Sequence, residues 1–113
     1  MSRSGRLGGY DLAAADWTSV CETPAGEIGT VSLVLTNRNT NAATVPIRVR
    51  VALKENATGD PTVVDIMEWD AIVKDIPLRI EGIAMSAGNM LAAYSDSINV
   101  SALVYGFEEL ADV

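Results

Sequence analysis

The feature that most constrains the fold is an alternation of apolar and polar side chains between residues 43 and 53. Side chains on a β-strand alternate between two faces, so this pattern predicts a half-buried strand with one face on a core. Pro46 lies among the outward positions and has no N–H to donate, which predicts an edge strand or a bulge there. The face directed to the core carries Ala43, Val45, Ile47, Val49, Val51 and Leu53.

The outward face of this strand carries a basic stripe, formed by Arg48, Arg50 and Lys54. Such a stripe either binds phosphate or keeps an edge strand from pairing with other chains. Because the net charge is -7 and no aromatic residues are interleaved, we favour protection of an edge.

Shorter alternating runs recur along the chain, separated by clusters of turn-forming residues at 23–26, 37–41, 55–61, 86–89 and 95–97. Gly82 lies where the apolar phase of one run shifts, which predicts a bulge. Short strands between regular turns are typical of a sandwich or a barrel. The sequence therefore predicts an all-β, single-domain antiparallel β-sandwich of roughly seven to eight strands, with jelly-roll or immunoglobulin-like topology.

One segment allows a different interpretation. Between Asp65 and Lys74, four apolar residues stand at roughly helical spacing: Ile66, Trp69, Ile72 and Val73. Short apolar runs do not distinguish helix from strand, but β-branched residues are enriched in strands and crowd this segment. We therefore predict a strand that ends near Trp69.

The first residues lack alternation and are rich in glycine. We assign residues 1–12 to an N-terminal arm and residues 13–113 to the sandwich domain. Met1–Gly9 also lacks the apolar run of a signal peptide. The arm is either flexible or ordered against a neighbouring subunit. In the second case Arg3, Arg6 and Tyr10 are candidate contact residues.

The composition argues against common catalytic chemistry. The 113 residues include no histidine and one cysteine, so the commonest general base and transition-metal ligand is missing. Cys21 is expected to be a small buried hydrophobe. The carboxylates, among them Glu68, Glu108 and Glu109, match no calcium loop and are expected to be solvated surface charges. We predict no enzymatic activity, no cofactor and no metal site.

The acidic balance also argues against nucleic acid or an anionic membrane as partner. Apolar side chains on outward positions favour protein contacts instead. Leu103, Tyr105 and Phe107 occupy the outward face of the last predicted strand, which indicates that this face is covered. Trp17 and Trp69 are either a platform on which sugars stack or core and interface anchors.

Several segments between Glu22 and Glu109 resemble a family of small structural proteins of tailed bacteriophages. The likeness rests on Thr23-Pro24-Ala25-Gly26, Thr30-Val31-Ser32-Leu33, Asn37-Arg38 with Val45–Leu53, Asp65–Asp70 and Val104–Glu109. It implies an all-β virion protein, made in the host cytoplasm, that assembles with copies of itself and with other particle proteins. Capsid decoration and a place in the tail, collar or fibre all remain open. The alternative is a carbohydrate-binding module that uses Trp17 or Trp69.

Overall fold

The computed structural model describes residues 3–39 and 46–110 of the chain. This part contains eight strands and a 3₁₀ turn at Val63–Asp65. The strands are β1 (Arg3–Asp11), β2 (Asp16–Glu22), β3 (Glu27–Asn37), β4 (Ile47–Lys54), β5 (Ile66–Val73), β6 (Leu78–Met85), β7 (Met90–Ser95) and β8 (Val100–Leu110). In these ranges no helix is long and apolar enough to cross a membrane.

The strands form two four-stranded sheets. The first sheet has the order β1-β8-β3-β6, and the second has the order β2-β7-β4-β5. The antiparallel pairs β1 with β8, β2 with β7, β3 with β6, and β4 with β5 are those of a long hairpin rolled onto itself. This pairing is the jelly roll, one of the two predicted topologies, and it confirms the all-β sandwich.

The core lies between the sheets and is made by the inward side chains of both. Inward residues with at most 1% exposure include Val31, Leu33, Leu35, Val49, Val51, Leu91, Val100 and Val104. Val49 and Val51 confirm the inward face predicted from the opening alternation, whereas Ala43 and Val45 lie outside the described residues. Burial of these side chains is the main stabilising contribution, at about 1.5–3 kcal/mol for each fully buried valine or leucine.

The predicted N-terminal arm is wrong over residues 3–11, which form an edge strand of the first sheet. β1 pairs with β8 from Arg3 opposite Glu108 to Asp11 opposite Ser101. The strand could not be recognised in the sequence because its glycines interrupt the alternation of apolar and polar residues. In the structure, Gly5 has φ 90° and stands opposite Gly106, with φ 145°.

Of the two alternatives predicted for this run, an edge strand or a bulge at Pro46, the edge strand is wrong over the described residues Ile47–Lys54. β4 lies inside the second sheet and pairs with β7 on one side and β5 on the other. Pro46 is compatible with this place because it precedes the first strand residue, Ile47, and removes no bond from the ladder. The basic stripe therefore does not protect an edge.

The segment after residue 65 is a strand, as favoured over a helix, but it extends to Val73 rather than ending near Trp69. Its pairing with β4 shifts register twice, so β5 contains extra residues near Met67 and near Trp69–Asp70. The bulge predicted at Gly82 is confirmed, since Glu81 and Gly82 together stand opposite the single residue Ser32. Bulges of this kind bend a strand and change the direction in which its side chains point.

Candidate interaction surfaces

The predicted contact residues do not form one site. The structure places Arg6, Leu103, Tyr105 and Phe107 on the outer face of the first sheet, and Trp17 and Trp69 on the outer face of the second. The backbone of Arg3 belongs to β1, but its side chain lies outside the described part of the structure. The two sheets thus offer separate candidate surfaces.

The first candidate, the β8 surface, consists of Ile28, Leu103, Tyr105 and Phe107, with Val34 opposite Leu103 but only 8% exposed. Ala102 and Val104 of β8 belong to the core, so the residues between and beside them point outward. Phe107 is 45% exposed, Ile28 42% and Leu103 38%. β3 and β8 pair from Glu27–Leu110 to Asn37–Val100 without a register shift. The β8 surface is therefore a regular sheet face on which apolar side chains stand opposite Thr30 and Ser32 of β3.

Charged residues border the β8 surface. Arg6 is opposite Tyr105 and Arg79 is opposite Val34, while Glu109 follows on the outward positions of β8. Arg6 is exposed, and its guanidinium group lies over Gly9, where any side chain would contact it. Both signs of charge are thus present at the rim.

Tyr10 differs from the other predicted contact residues because it occupies an inward position at the sheet edge. It stands opposite the buried Ala102. A Cβ atom at Gly8 would lie 2.9 Å from the Tyr10 ring and 3.3 Å from the carbonyl oxygen of Val20 in β2. The Tyr10 ring therefore lies over Gly8 at the gap between the two sheets, and not on the β8 surface.

The second sheet carries an aromatic row, with one residue from each strand: Trp17, Tyr94, Arg50 and Trp69. Register pairs Trp17 with Tyr94 and Tyr94 with Arg50. The Trp17 and Tyr94 ring centroids are 5.6 Å apart with an interplanar angle of 55°. Arg50 Cζ lies 3.7 Å from the centroid of the Trp69 ring and 4.8 Å from that of Tyr94. A guanidinium group between two rings gains cation–π attraction on both sides.

The row depends on the bulge in β5. Trp69 and Asp70 together face Arg50, and Asp70 has φ 56°, a left-handed conformation that aspartate adopts more readily than most residues. Arg50 Nε donates to Asp70 Oδ1 at 3.0 Å. The bulge therefore brings an indole and a carboxylate to the same guanidinium group, and Arg50 is a structural link rather than a free cation.

A groove of about 340 Å³ lies along the aromatic row. Its lining is Trp17, Arg50, Pro61, Thr62, Val63, Ile66 and Trp69. A second cavity of about 260 Å³ is lined by Val63, Ile66 and Trp69, so Trp69 borders both spaces. Next to the aromatic row, the side chains in the middle of the sheet are short, since Ala52 of β4 pairs with Ala92 of β7. The groove thus has two indoles, an arginine and a hydroxyl group in a mainly apolar wall.

A third surface was missed by the sequence reasoning. Six of the twelve large apolar residues that are exposed in the described chain lie between residues 63 and 76. They form the β5 edge surface: Val63, Val64, Met67, Trp69, Ile72 and Ile76. Val63 and Val64 are 88% and 87% exposed. Of this group only Trp69 was predicted from the sequence, because neither the bulges nor the edge position of β5 is evident from local sequence.

Two predictions about single polar groups can be compared with the structure, and one of them is wrong. Cys21 is buried, as predicted. Glu108 contradicts the prediction of surface charge, since it is only 1% exposed and points inward from β8 opposite Gly29. A Cβ atom at Gly29 would lie 3.1 Å from Glu108 Cγ, so glycine leaves room for this side chain. Among the described residues no group of histidine, cysteine, aspartate and glutamate could hold a metal ion.

Comparison with known proteins adds no assignment to these surfaces. No family model matches the sequence, and no curated protein matches it significantly.

Proposed function

We propose that the chain is a non-enzymatic structural protein of a tailed-bacteriophage particle that associates with copies of itself and with other particle proteins. The resemblance of its turn and strand segments to such proteins supports this role. Its place would be the virion, as capsid decoration or as part of the tail, collar or fibre. The jelly roll is compatible with it but is also found in lectin domains, so the fold alone does not decide.

The observation that carries the proposal is the β8 surface. Exposed apolar side chains grouped on one sheet face mark contact surfaces more often than isolated ones do. Because β3 and β8 pair without a bulge, this face suits sheet-on-sheet packing with a partner sheet about 10 Å away.

We assign a second copy of the chain to the β8 surface. Arginine and glutamate both stand at its rim, so two copies related by a two-fold axis can place Arg79 or Arg6 near Glu109 of the other copy. The bulged β5 edge surface is less regular and is assigned to other particle proteins.

The test of the particle role is co-purification. Particles separated by density gradient from a culture that produces the chain are examined by mass spectrometry and by electron microscopy with antibodies against it. The proposal expects the chain in the particle band and antibody labels at a repeated position. Intact particles without the chain, which then remains in the soluble fraction, would contradict it.

Two matched variants connect the particle role to the β8 surface. Phe107→Lys puts a charge at the centre of the apolar face and is expected to lower incorporation by about tenfold, as a contact residue of moderate weight would. Ile98→Lys is the control, because Ile98 is 60% exposed but belongs to none of the named surfaces. Equal incorporation of both variants would remove the β8 surface from the proposal.

A second candidate function, carbohydrate binding through Trp17 or Trp69, is favoured by one specific observation. The two indoles border the same groove on the outer face of the second sheet. This function does not compete with self-association, since the β8 surface lies on the other sheet, but the groove shares Val63 and Trp69 with the β5 edge surface.

A further inference from the structure

We infer that the groove along the aromatic row is a binding site for a neutral saccharide, with one pyranose ring stacked on the indole of Trp69. The inference rests on the second candidate function and makes it specific: it names the stacking residue, the residues that position it and the charge of the sugar. It is independent of the assembly role assigned to the β8 surface.

The size of the space fits a small ligand. Binding pockets for small molecules usually measure about 300–1,000 Å³. The groove of about 340 Å³ reaches this range, and the adjoining cavity of about 260 Å³ shares Val63, Ile66 and Trp69 with it. A chain of two or more sugar units can therefore extend from one space to the other across Trp69.

The exposure of Trp69 leaves one ring face for a ligand. Arg50 covers one face, with Cζ 3.7 Å from the ring centroid. The residue is nevertheless 57% exposed, so much of the ring remains accessible to solvent. A pyranose ring has a C–H-rich face that packs on an aromatic ring and hydroxyl groups around its edge that need polar partners. Thr62 and Arg50 supply such partners within the same lining.

The indole is held in place before any ligand binds. Arg50 Nε donates to Asp70 Oδ1 at 3.0 Å, and its guanidinium group lies between the rings of Trp69 and Tyr94. Tyr94 in turn contacts Trp17. A side chain that is already ordered loses less conformational entropy on binding. Arg50 and Asp70 are therefore positioning residues for the stacking surface.

The charges around the groove favour a neutral sugar. The guanidinium group of Arg50 is already paired with Asp70. Thr62 contacts a second carboxylate, because the backbone N–H of Thr62 donates to Asp65 Oδ2 at 2.7 Å. An acidic sugar would bring its carboxylate close to these two groups and would meet repulsion rather than a free cation. A neutral sugar avoids this cost.

The experiment titrates the full chain with neutral and acidic oligosaccharides and follows indole fluorescence. The neutral probes are maltotetraose, cellotetraose, chitotetraose and lactose; the acidic probes are tetragalacturonate and sialyllactose. We expect at least one neutral probe to shift the emission and to saturate. Trp69→Ala is expected to weaken this binding by about tenfold or more, equivalent to about 1.4 kcal/mol.

Controls separate stacking from damage to the fold. Phe107→Ala, on the other sheet, should bind the same probe within about twofold of the wild type. Arg50→Lys keeps the charge but not the planar contact with Trp69, so it should weaken binding while leaving thermal unfolding cooperative. Trp17→Phe leaves only one indole and shows whether the emission change comes from Trp69.

The outcomes distinguish this inference from the candidate function on which it rests. Binding of acidic probes alone would overturn the neutral-sugar assignment while leaving carbohydrate binding in place. Binding that Trp69→Ala does not weaken would overturn the assignment of the stacking residue. No response to any probe would overturn both the inference and the second candidate function, and would leave the β8 surface proposal unaffected.

Discussion

The outer faces of the two sheets are built from similar residue types but have different shapes. On the first sheet, β3 and β8 pair over their whole length without a register shift, and Leu103 and Phe107 form part of an even apolar face. On the second sheet, β5 is bulged at two places, and Trp69 is turned out beside a groove. The regular ladder gives a surface that suits another protein, whereas the bulged ladder gives a concavity that suits a small ligand.

Each sheet has a regular central pair and register shifts in both outer pairs. The two surfaces differ in where their aromatic residues stand: Tyr105 and Phe107 lie on the regular β3–β8 pair, whereas Trp69 lies in the bulge of the edge strand β5. Both faces present aromatic residues next to arginine. On the first sheet Arg6 stands in register with Tyr105 at the rim. On the second sheet the bulge brings Asp70 to Arg50 and fixes the cation between two rings. The extra residue in β5 therefore brings Asp70 and Trp69 to Arg50 and holds its guanidinium group in the wall of the groove.

The largest effect is expected at Gly106, where the regular face depends on a close approach of two strands. Gly106 has φ 145°, and a Cβ atom there would contact the carbonyl oxygen of Thr30 and lie 2.8 Å from Val31 Cα. We expect Gly106→Ala to lower the free energy of unfolding by about 3 kcal/mol or more, because backbone atoms must move apart. Urea denaturation measures the loss.

The matched control for Gly106 is its partner in the ladder. Gly5 has φ 90°, but a Cβ atom there would meet nothing within 4 Å. Gly5→Ala should therefore cost only the conformational penalty of about 1–2 kcal/mol. Equal losses for the two variants would show that positive φ alone matters and that the close approach of β8 to β3 does not.

An intermediate effect is expected at Asp70 in the bulge of β5. Asp70→Ala removes the ion pair with Arg50 and leaves alanine at φ 56°, so we expect a loss of about 1–2 kcal/mol. Asp70→Asn keeps a side chain that tolerates this conformation and accepts a hydrogen bond, and it should lose less than about 1 kcal/mol. Chemical denaturation of both variants tests the order, and a less stable asparagine variant would contradict it.

The smallest effect on stability is expected on the β5 edge surface. Val64 is 87% exposed, so Val64→Thr should change the free energy of unfolding by no more than about 0.5 kcal/mol. Leu91→Ala is the buried counterpart at 0% exposure and should cost about 2–5 kcal/mol. A large loss in the threonine variant would mean that Val64 packs against the rest of the chain.

The sequence was sufficient to predict the sandwich because apolar residues recur at every second position on the inward faces of its strands. Val49 and Val51 of β4 and Val100 and Val104 of β8 are all buried where the alternation predicts. The same rule failed for β1, since Gly5, Gly8 and Gly9 supply no side chains whose alternation can be read. It is pairing with β8 that makes residues 3–11 a strand.

The candidate surfaces could be predicted only in part. Outward Leu103 and Phe107 were identifiable because they oppose a clear core face. The aromatic row was not, since it brings together Trp17, Arg50, Trp69 and Tyr94 from four different strands, and register is not evident from local sequence. The place of β4 inside its sheet was missed for the same reason: strand order depends on long-range pairing, which turns and propensities do not specify.

The most direct test of the central claim, self-association through the β8 surface, is sedimentation equilibrium of the full chain. We expect an oligomer for the wild type, a monomer for Phe107→Lys, and an oligomer again for both Ile98→Lys and Ile72→Lys. The last variant places the same charge on the β5 edge surface, at a residue that is 53% exposed. A wild type that stays monomeric at all concentrations, or a Phe107→Lys variant that associates as the wild type does, would contradict the account.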